Sequence, residues 1–310
     1  MSATEQILMS ADSILKDNIR YKKMFPQKRK VAWNSNLPIL KTGLAKNTRY
    51  VLDYLYSTGK YELYLYAMGV PWRNSEYERF PYKVYGCLPD TPQEVQQLNQ
   101  SDEGVKRAWA YGNGYINRFL QEVKPDVLIC SDDIWSFNGY TEAAWFNKIN
   151  SCLHLTIDSL PILPSGIEMA KKAKNYIVWS KFAQDEMHRL GFSHVKLIPG
   201  AVSEKDFYKL TDEQKLAIRA KFNLPNNAFI VGMDSRNQIR KEFPVIIDGF
   251  SQFIKKYPES NAYLLLITTH NEGWDLNRLV EEYQIPKERF LAVYICKNCK
   301  NIEVRPLAGQ

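Results

Sequence analysis

The feature that most constrains this chain is a strand–helix–strand pattern that occurs near its beginning and again in its last third. The first series opens with an apolar run at residues 31–33, passes a loop that ends at Gly43, and continues through a helix into a strand at 61–67. The second series begins with the apolar run 229–233. Such alternation predicts βαβ units, in which helices cover a parallel sheet. The predicted fold class is therefore α/β.

A polar, lysine-rich stretch at residues 201–227 separates the two series. We predict from it an N-terminal domain over residues 1–204, which begins with a helical lead-in at 1–28. The start of a C-terminal domain follows over residues 205–310. Residues 205–310 cover only about half of a normal second domain, so this domain is expected to be incomplete.

Composition narrows the class of protein. Hydrophobic residues make up 45% of the chain and charged residues 24%, which is typical of soluble globular proteins. The chain has no apolar run of the length that a membrane-spanning helix needs. Its beginning lacks the basic and apolar blocks of a signal peptide. We therefore predict a cytoplasmic protein with at most peripheral membrane contact. The net charge of +7 fits either a solvated surface or an anionic ligand.

The strongest candidate site is a basic run between a predicted strand and a predicted helix. Ligands of open α/β sheets bind beyond the carboxyl ends of the strands, and the amides at a helix start favour anions. Arg236, Arg240 and Lys241 add cationic side chains there, with Asn237 between them. Arginine in particular binds phosphate through two hydrogen bonds. By charge alone, a phosphate site and a solvated basic turn explain this run equally well.

Residues 176–285 resemble the retaining GT-B glycosyltransferases of family 4. Residues 177–182 (Ile-Val-Trp-Ser-Lys-Phe) are similar to the strand–Ser–helix step of that family, and residues 197–202 (Leu-Ile-Pro-Gly-Ala-Val) to its hinge. Arg236 and Lys241 keep the Arg-x-x-x-x-Lys spacing of its donor-phosphate signature. The resemblance implies two Rossmann-like domains that face a cleft, the second of them truncated here. It also implies transfer of a sugar, with retention, from a nucleotide diphosphate sugar to an acceptor hydroxyl.

The same resemblance assigns roles to single residues. In the family, the Arg and Lys neutralise the departing nucleoside diphosphate, so no catalytic metal is expected. The loop before the first helix faces the donor, which places Gly43 beside it. His270 is expected to approach the nucleotide. Because the family's C-terminal sugar-binding region is absent, the fragment is expected to be inactive alone.

Two carboxylates, Asp132 and Asp133, follow the buried strand predicted at 126–130. Family members place an acidic residue or a histidine near this loop, where it orients or deprotonates the acceptor, which is a glycan, a lipid or a protein. A helix-capping or loop carboxylate is the competing interpretation. His154 lies within an apolar strand and is predicted to be a core residue rather than a base. Two further acceptor-site candidates, on position alone, are Asp158 and Ser159.

Cys296 and Cys299 form a Cys-x-x-Cys pair, which is half of a zinc-ribbon pattern. A structural zinc needs four ligands, usually from two such pairs. We therefore predict a half site here, which a second pair in a longer parent chain would complete as a structural zinc.

Other functions compete with the glycosyltransferase hypothesis. A sugar-nucleotide epimerase or a phosphorylase shares the fold. A nucleic-acid-binding protein with a zinc knuckle would explain the positive charge, but the basic residues are dispersed, so no nucleic-acid partner is expected. A dinucleotide-dependent oxidoreductase is disfavoured because no Gly-x-Gly-x-x-Gly follows either first strand.

Overall fold

The computed structural model describes residues 28–270, 272–296 and 298–307. The chain divides into two compact units between Phe207 and Tyr208. The helical lead-in predicted at residues 1–28 lies, except for Lys28, outside the described residues. Each unit contains its own largely parallel sheet, which confirms the predicted α/β class.

The described part of the first unit contains seven strands and six α-helices. The strands are β1 Arg29–Asn36, β2 Tyr61–Pro71, β3 Lys83–Leu88, β4 Val127–Asp133, β5 Asn150–Thr156, β6 Asn175–Val178 and β7 Lys196–Leu197. The helices are α1 Gly43–Ser57, α2 Pro92–Gln100, α3 Glu103–Ala108, α4 Ile116–Val123, α5 Pro164–Lys172 and α6 Lys181–Arg189.

The seven strands are parallel and lie in the order β3-β2-β1-β4-β5-β6-β7. The order changes direction between β1 and β4, and ligands of such sheets bind at this switch point. Apolar residues cover both faces because successive side chains of a strand point to opposite sides. In β1, Ala32 joins one buried cluster, whereas Val31 and Trp33 join the other.

The spacing of apolar residues over 105–123 predicts one continuous helix, and this prediction is wrong. The segment breaks into α3, a π turn at Trp109–Asn113 and α4, because Gly112 has a φ of +99°. Tyr66 Oη donates a 2.9 Å hydrogen bond to the Gly112 carbonyl. A Cβ atom at this position would lie 2.8 Å from Tyr140 Oη. Tertiary contacts therefore fix a backbone that only glycine adopts readily.

The second unit repeats the pattern on a smaller scale. Its described strands and helices are α7 Asp212–Lys221, β8 Phe229–Asp234, α8 Phe243–Lys256, β9 Ala262–Ile267, α9 Leu276–Glu282, β10 Phe290–Ile295 and β11 Ile302–Pro306. The sheet order is β11-β10-β9-β8, and β11, which was not predicted, pairs antiparallel with β10. Phe243, Leu264 and Phe290 are fully buried in its core. No helix in the described ranges is long and apolar enough to cross a membrane.

Candidate functional site

The basic run lies at the carboxyl edge of the second sheet. It connects the end of β8 at Asp234 to the start of α8 and contains a 3-10 turn at Ile239–Lys241. The first turn of α8 has no acidic side chain, and no side chain caps its amides. A surface cavity of about 510 Å³ lies against residues 236–240. The run therefore combines a helix start, cationic side chains and space for a ligand.

The cations of this run differ in their partners. Arg236 is exposed, and its Nε donates a 2.7 Å hydrogen bond to Glu272 Oε2. This bond lowers the pKa of Glu272, which therefore stays ionised. Arg240 and Lys241 are also exposed, and neither has an ion-pair partner among the described residues. An anion in the cavity would meet the uncompensated charge of Arg240 and the shared charge of Arg236, with Lys241 next in sequence to the cavity lining.

Asn237 fixes the shape of this loop. The side chain is buried, its Nδ2 donates to the Trp274 carbonyl at 2.8 Å, and its Oδ1 accepts from the Trp274 amide at 3.0 Å. Gly273 has a φ of +67°, and a Cβ atom there would lie 2.4 Å from the Asn237 carbonyl oxygen. Both ends of the Asn237 amide thus hold the basic run against the loop that contains Gly273 and Trp274. Asn237 therefore has a structural role in the loop, and ligand contacts are left to the neighbouring arginines.

His270, the other predicted nucleotide contact, is half-buried beside β10. Its Nε2 lies 3.2 Å from the Val293 carbonyl, and its ring centroid lies 4.9 Å from that of Tyr294. Burial lowers the pKa of this imidazole, which favours the neutral form. The His270 ring is therefore a neutral group that forms hydrogen bonds rather than a cation.

Gly43 is the first residue of α1, directly after Thr42, whose side chain accepts from the Ala45 amide at 3.1 Å. A Cβ atom at Gly43 would meet nothing within 4 Å. Packing therefore does not require glycine at this position. A ligand that approaches the backbone closely would be a physical reason for glycine here.

The two carboxylates at the end of β4 have different surroundings. Asp132 is only 2% exposed. It accepts hydrogen bonds from Asn36 Nδ2 at 2.6 Å and from Ser136 Oγ and the Asp133 amide at 2.8 Å each. Burial raises its pKa to about 6. Asp133 is half-buried and accepts from the hydroxyl of Thr156. Asp132 is therefore enclosed at the switch point between β1 and β4, and Asp133 is the more accessible carboxylate.

The raised pKa of Asp132 has a consequence for stability. The folded protein binds this proton more tightly than the unfolded chain, whose reference value is 3.8. Its contribution to the free energy of unfolding therefore falls as pH rises from about 4 to about 6, and is constant above. We expect Asp132→Asn to remove this dependence and to stabilise the protein by up to about 3 kcal/mol at pH 7.5. The side-chain amide of Asn36 can flip so that its oxygen accepts a hydrogen bond from the amide introduced at position 132.

Urea denaturation of both proteins between pH 4.5 and 7.5 measures this difference. Asp158→Asn, which changes an exposed carboxylate after β5, is the matched control. A stability difference for Asp132→Asn that does not grow between pH 4.5 and 6.5 would contradict the assignment.

His154 is buried, as predicted. Its Nε2 lies 2.8 Å from the Ile198 carbonyl and its Nδ1 lies 3.1 Å from Ser131 Oγ. Its ring stacks on that of Trp179 with a centroid distance of 5.2 Å. Burial lowers the pKa of the imidazole, and both ring nitrogens already have partners. Asp158 and Ser159 are exposed in the loop after β5.

The sequence hypothesis missed the residues that surround the carboxylates, namely Asn36, Ser136 and Thr156. A signal for the first of them was present, since β1 is buried yet ends in Asn34, Ser35 and Asn36. Asn34 and Ser35 each leave a buried side-chain oxygen without a hydrogen-bond partner in the described structure. Such polar ends of buried strands mark the edge where ligands bind.

Cys296 and Cys299 lie together on the turn between β10 and β11, and both are exposed. The Cys296 amide donates to the Asn301 carbonyl at 2.9 Å, which closes the turn. The described residues contain no group of three or more side chains that could hold a metal ion.

No protein-family model matches the chain. A curated relative, alpha-monoglucosyldiacylglycerol synthase of Acholeplasma laidlawii, is 29% identical over 101 residues. This match spans 32% of the chain and only a quarter (25%) of the relative's length.

Solved structures resemble the chain over most of its length. Trehalose-6-phosphate synthase OtsA matches with a TM-score of 0.53 and 12% identity, covering 88% of this chain and 75% of that one. UDP-GlcNAc 2-epimerase from Neisseria meningitidis, bound to UDP-GlcNAc, gives a TM-score of 0.53 and 11% identity, covering 88% and 73%. At these identities the similarity shows the fold, which is the predicted GT-B type with Rossmann-like sheets.

Proposed function

We propose that this chain belongs to a glycosyltransferase that moves a sugar from a nucleotide diphosphate sugar to an acceptor hydroxyl. The observation that carries the proposal is the basic run at the carboxyl edge of the second sheet, with its adjoining cavity. A nucleoside diphosphate matches that run in charge, and the start of α8 favours the same ligand. A solved structure of the same fold is bound with UDP-2-fluoro glucose, at a TM-score of 0.50 and 12% identity.

In this proposal residues 205–310 bind the donor and residues 1–204 provide the acceptor groups. Arg236, Arg240 and Lys241 neutralise the charge that develops on the diphosphate as the bond to the sugar's anomeric carbon breaks. The acceptor oxygen forms the new bond to that carbon, with retention. These cations do the work that a divalent metal does elsewhere, so no catalytic metal is required.

Asp133 is the carboxylate proposed to contact the acceptor, because Asp132 is enclosed by its own hydrogen bonds. Asp133 would orient the acceptor hydroxyl and take up its proton. Asp132 then acts as a positioning residue for the turn that follows β4. The acceptor would be a glycan, lipid or protein hydroxyl.

Calorimetric titration with a panel of UDP-, GDP-, ADP- and dTDP-sugars tests the proposal. We expect at least one of them to bind, and its nucleoside diphosphate to compete. Absence of binding by every member at millimolar concentration would overturn it. In a parent protein that turns over, release of the nucleoside diphosphate that depends on an added acceptor then separates a transferase from a sugar-nucleotide epimerase, which needs no acceptor.

Glu272 competes with a ligand for Arg236, since the two side chains form a 2.7 Å ion pair. We expect Glu272→Gln to tighten nucleoside diphosphate binding about two- to five-fold, the range that a surface ion pair allows. Glu186→Gln is the control, because Glu186 forms an ion pair with Arg189 within α6 of the first unit. Weaker binding in Glu272→Gln would mean that the carboxylate itself contacts the ligand.

We also propose that Cys296 and Cys299 supply two of the four ligands of a structural zinc. Hydrogen bonds from the backbone amide and thiol of Cys299, and from the Asn298 amide, lower the pKa of Cys296 and favour the thiolate that binds metals. Titration with Co²⁺ should give thiolate-to-cobalt absorption, and Cys296→Ser should abolish it. Cys152→Ser is the control. The same absorption in Cys296→Ser would exclude this site.

A further inference from the structure

A cavity of about 330 Å³ lies beside the turn that follows β4. It is bounded by α3, by the π turn Trp109–Asn113 and by the 3-10 turn Ile134–Phe137. This volume is at the small end of ligand pockets, and it suits a single ring better than an extended chain. The positive φ of Gly112 interrupts the helix between two lining residues of this cavity, Tyr111 and Asn113.

Two aromatic rings form a wall of this cavity. Tyr111 and Trp135 are half-buried, with ring centroids 4.6 Å apart and planes at 84°. The guanidinium of Arg107 lies 5.0 Å from the Trp135 ring and 5.9 Å from the Tyr111 ring. Arg107 has no ion-pair partner within the described ranges. The rings therefore hold a cation whose hydrogen-bond donors are not taken by a carboxylate.

Ser136 links the cavity to the carboxylates. It lines the cavity, and its hydroxyl donates to Asp132 Oδ1 at 2.8 Å. Asn113 and Asn138 also line it and offer amide donors and acceptors. One region of the first unit thus combines an aromatic face, a cation and two amides, and Ser136 connects it to the Asp132 carboxylate.

We propose that this cavity binds the acceptor, and that the acceptor is a sugar or cyclitol ring carrying an anionic group. The ring's C–H face packs against Trp135 and Tyr111, its hydroxyls bond to the amides, and its phosphate or carboxylate binds Arg107. The acceptor role rests on the proposed function, but binding of an anionic ring needs no donor and is measured separately.

Direct titration with glucose 6-phosphate and with methyl α-glucoside tests the inference. We expect glucose 6-phosphate to bind, and Arg107→Ala to weaken it about ten-fold or more. The neutral glucoside should bind more weakly and change less than about two-fold. Trp135→Ala should weaken the binding of both ligands.

A second experiment measures binding to vesicles of phosphatidylcholine with phosphatidylinositol. If the protein binds these vesicles only when Arg107 is present, and does not bind free glucose 6-phosphate, the anionic ring is that of a lipid headgroup.

Arg118→Ala is the matched control. Its guanidinium lies 4.6 Å from the Trp72 ring and 5.2 Å from the Tyr115 ring, a similar packing outside this cavity. An equal loss in Arg118→Ala, or no binding in either experiment, overturns the inference. Nucleoside diphosphate binding, measured on the same samples, distinguishes failure of this inference from failure of the proposed function. If it persists while the anionic ring fails to bind, only the acceptor inference is lost.

Discussion

Replacing Arg236 and Lys241 together with alanine is expected to weaken nucleoside diphosphate binding by about two orders of magnitude or more. A hydrogen bond to a charged group contributes about ten-fold or more to affinity, and the double variant removes two cationic donors. Both side chains are exposed, so the fold should be retained. Calorimetric titration measures the affinity, and circular dichroism verifies the fold.

Arg189→Ala provides the control for this experiment. Arg189 is an exposed arginine in α6 of the first unit and pairs with Glu186, much as Arg236 pairs with Glu272. Its loss should leave the dissociation constant unchanged. If the double variant binds as tightly as the wild type, the basic run is not the diphosphate site.

Phe243→Ala is expected to have the largest effect on stability, about 3–5 kcal/mol in the second unit. Phe243 is fully buried and is the first residue of α8, directly after the basic run. A unit of this size should lose more than about 10 °C in its transition temperature. Scanning calorimetry measures this shift. Diphosphate binding should fall as well, because the ring anchors the end of the loop.

Phe253→Ala serves as the comparison within the same helix. Phe253 is 36% exposed, so its loss should cost less than about 1 kcal/mol. Equal shifts for the two variants would contradict the placement of Phe243 in the core.

The order of strands and helices was predictable because its signals are local. An apolar run with flanking turns predicted β4, and the succession of β8, a basic loop and α8 followed from neighbouring residues. The break at Gly112 was not predictable, since its cause is contact with Tyr66, 46 residues earlier, and with Tyr140. A helical pattern contains no information on such distant partners.

The candidate site shows the same limit. Sequence spacing brought Arg236 and Lys241 together, but the partner of Arg236 is Glu272, 36 residues further along. The enclosure of Asp132 depends on Asn36, which reaches it from β1, 96 residues away. The sequence therefore indicated which residues gather at the sheet edge, and the fold decided which of them stay accessible.

The contact between Trp274 and the basic run provides an optical signal. The indole Nε1 donates a 3.1 Å hydrogen bond to the Ile239 carbonyl, within the run itself. The other six tryptophans of the chain precede residue 207. A ligand that shifts the loop would alter the polarity around this indole and hence its emission. A protein with the other tryptophans replaced by phenylalanine would then report loop occupancy by fluorescence, without any attached dye.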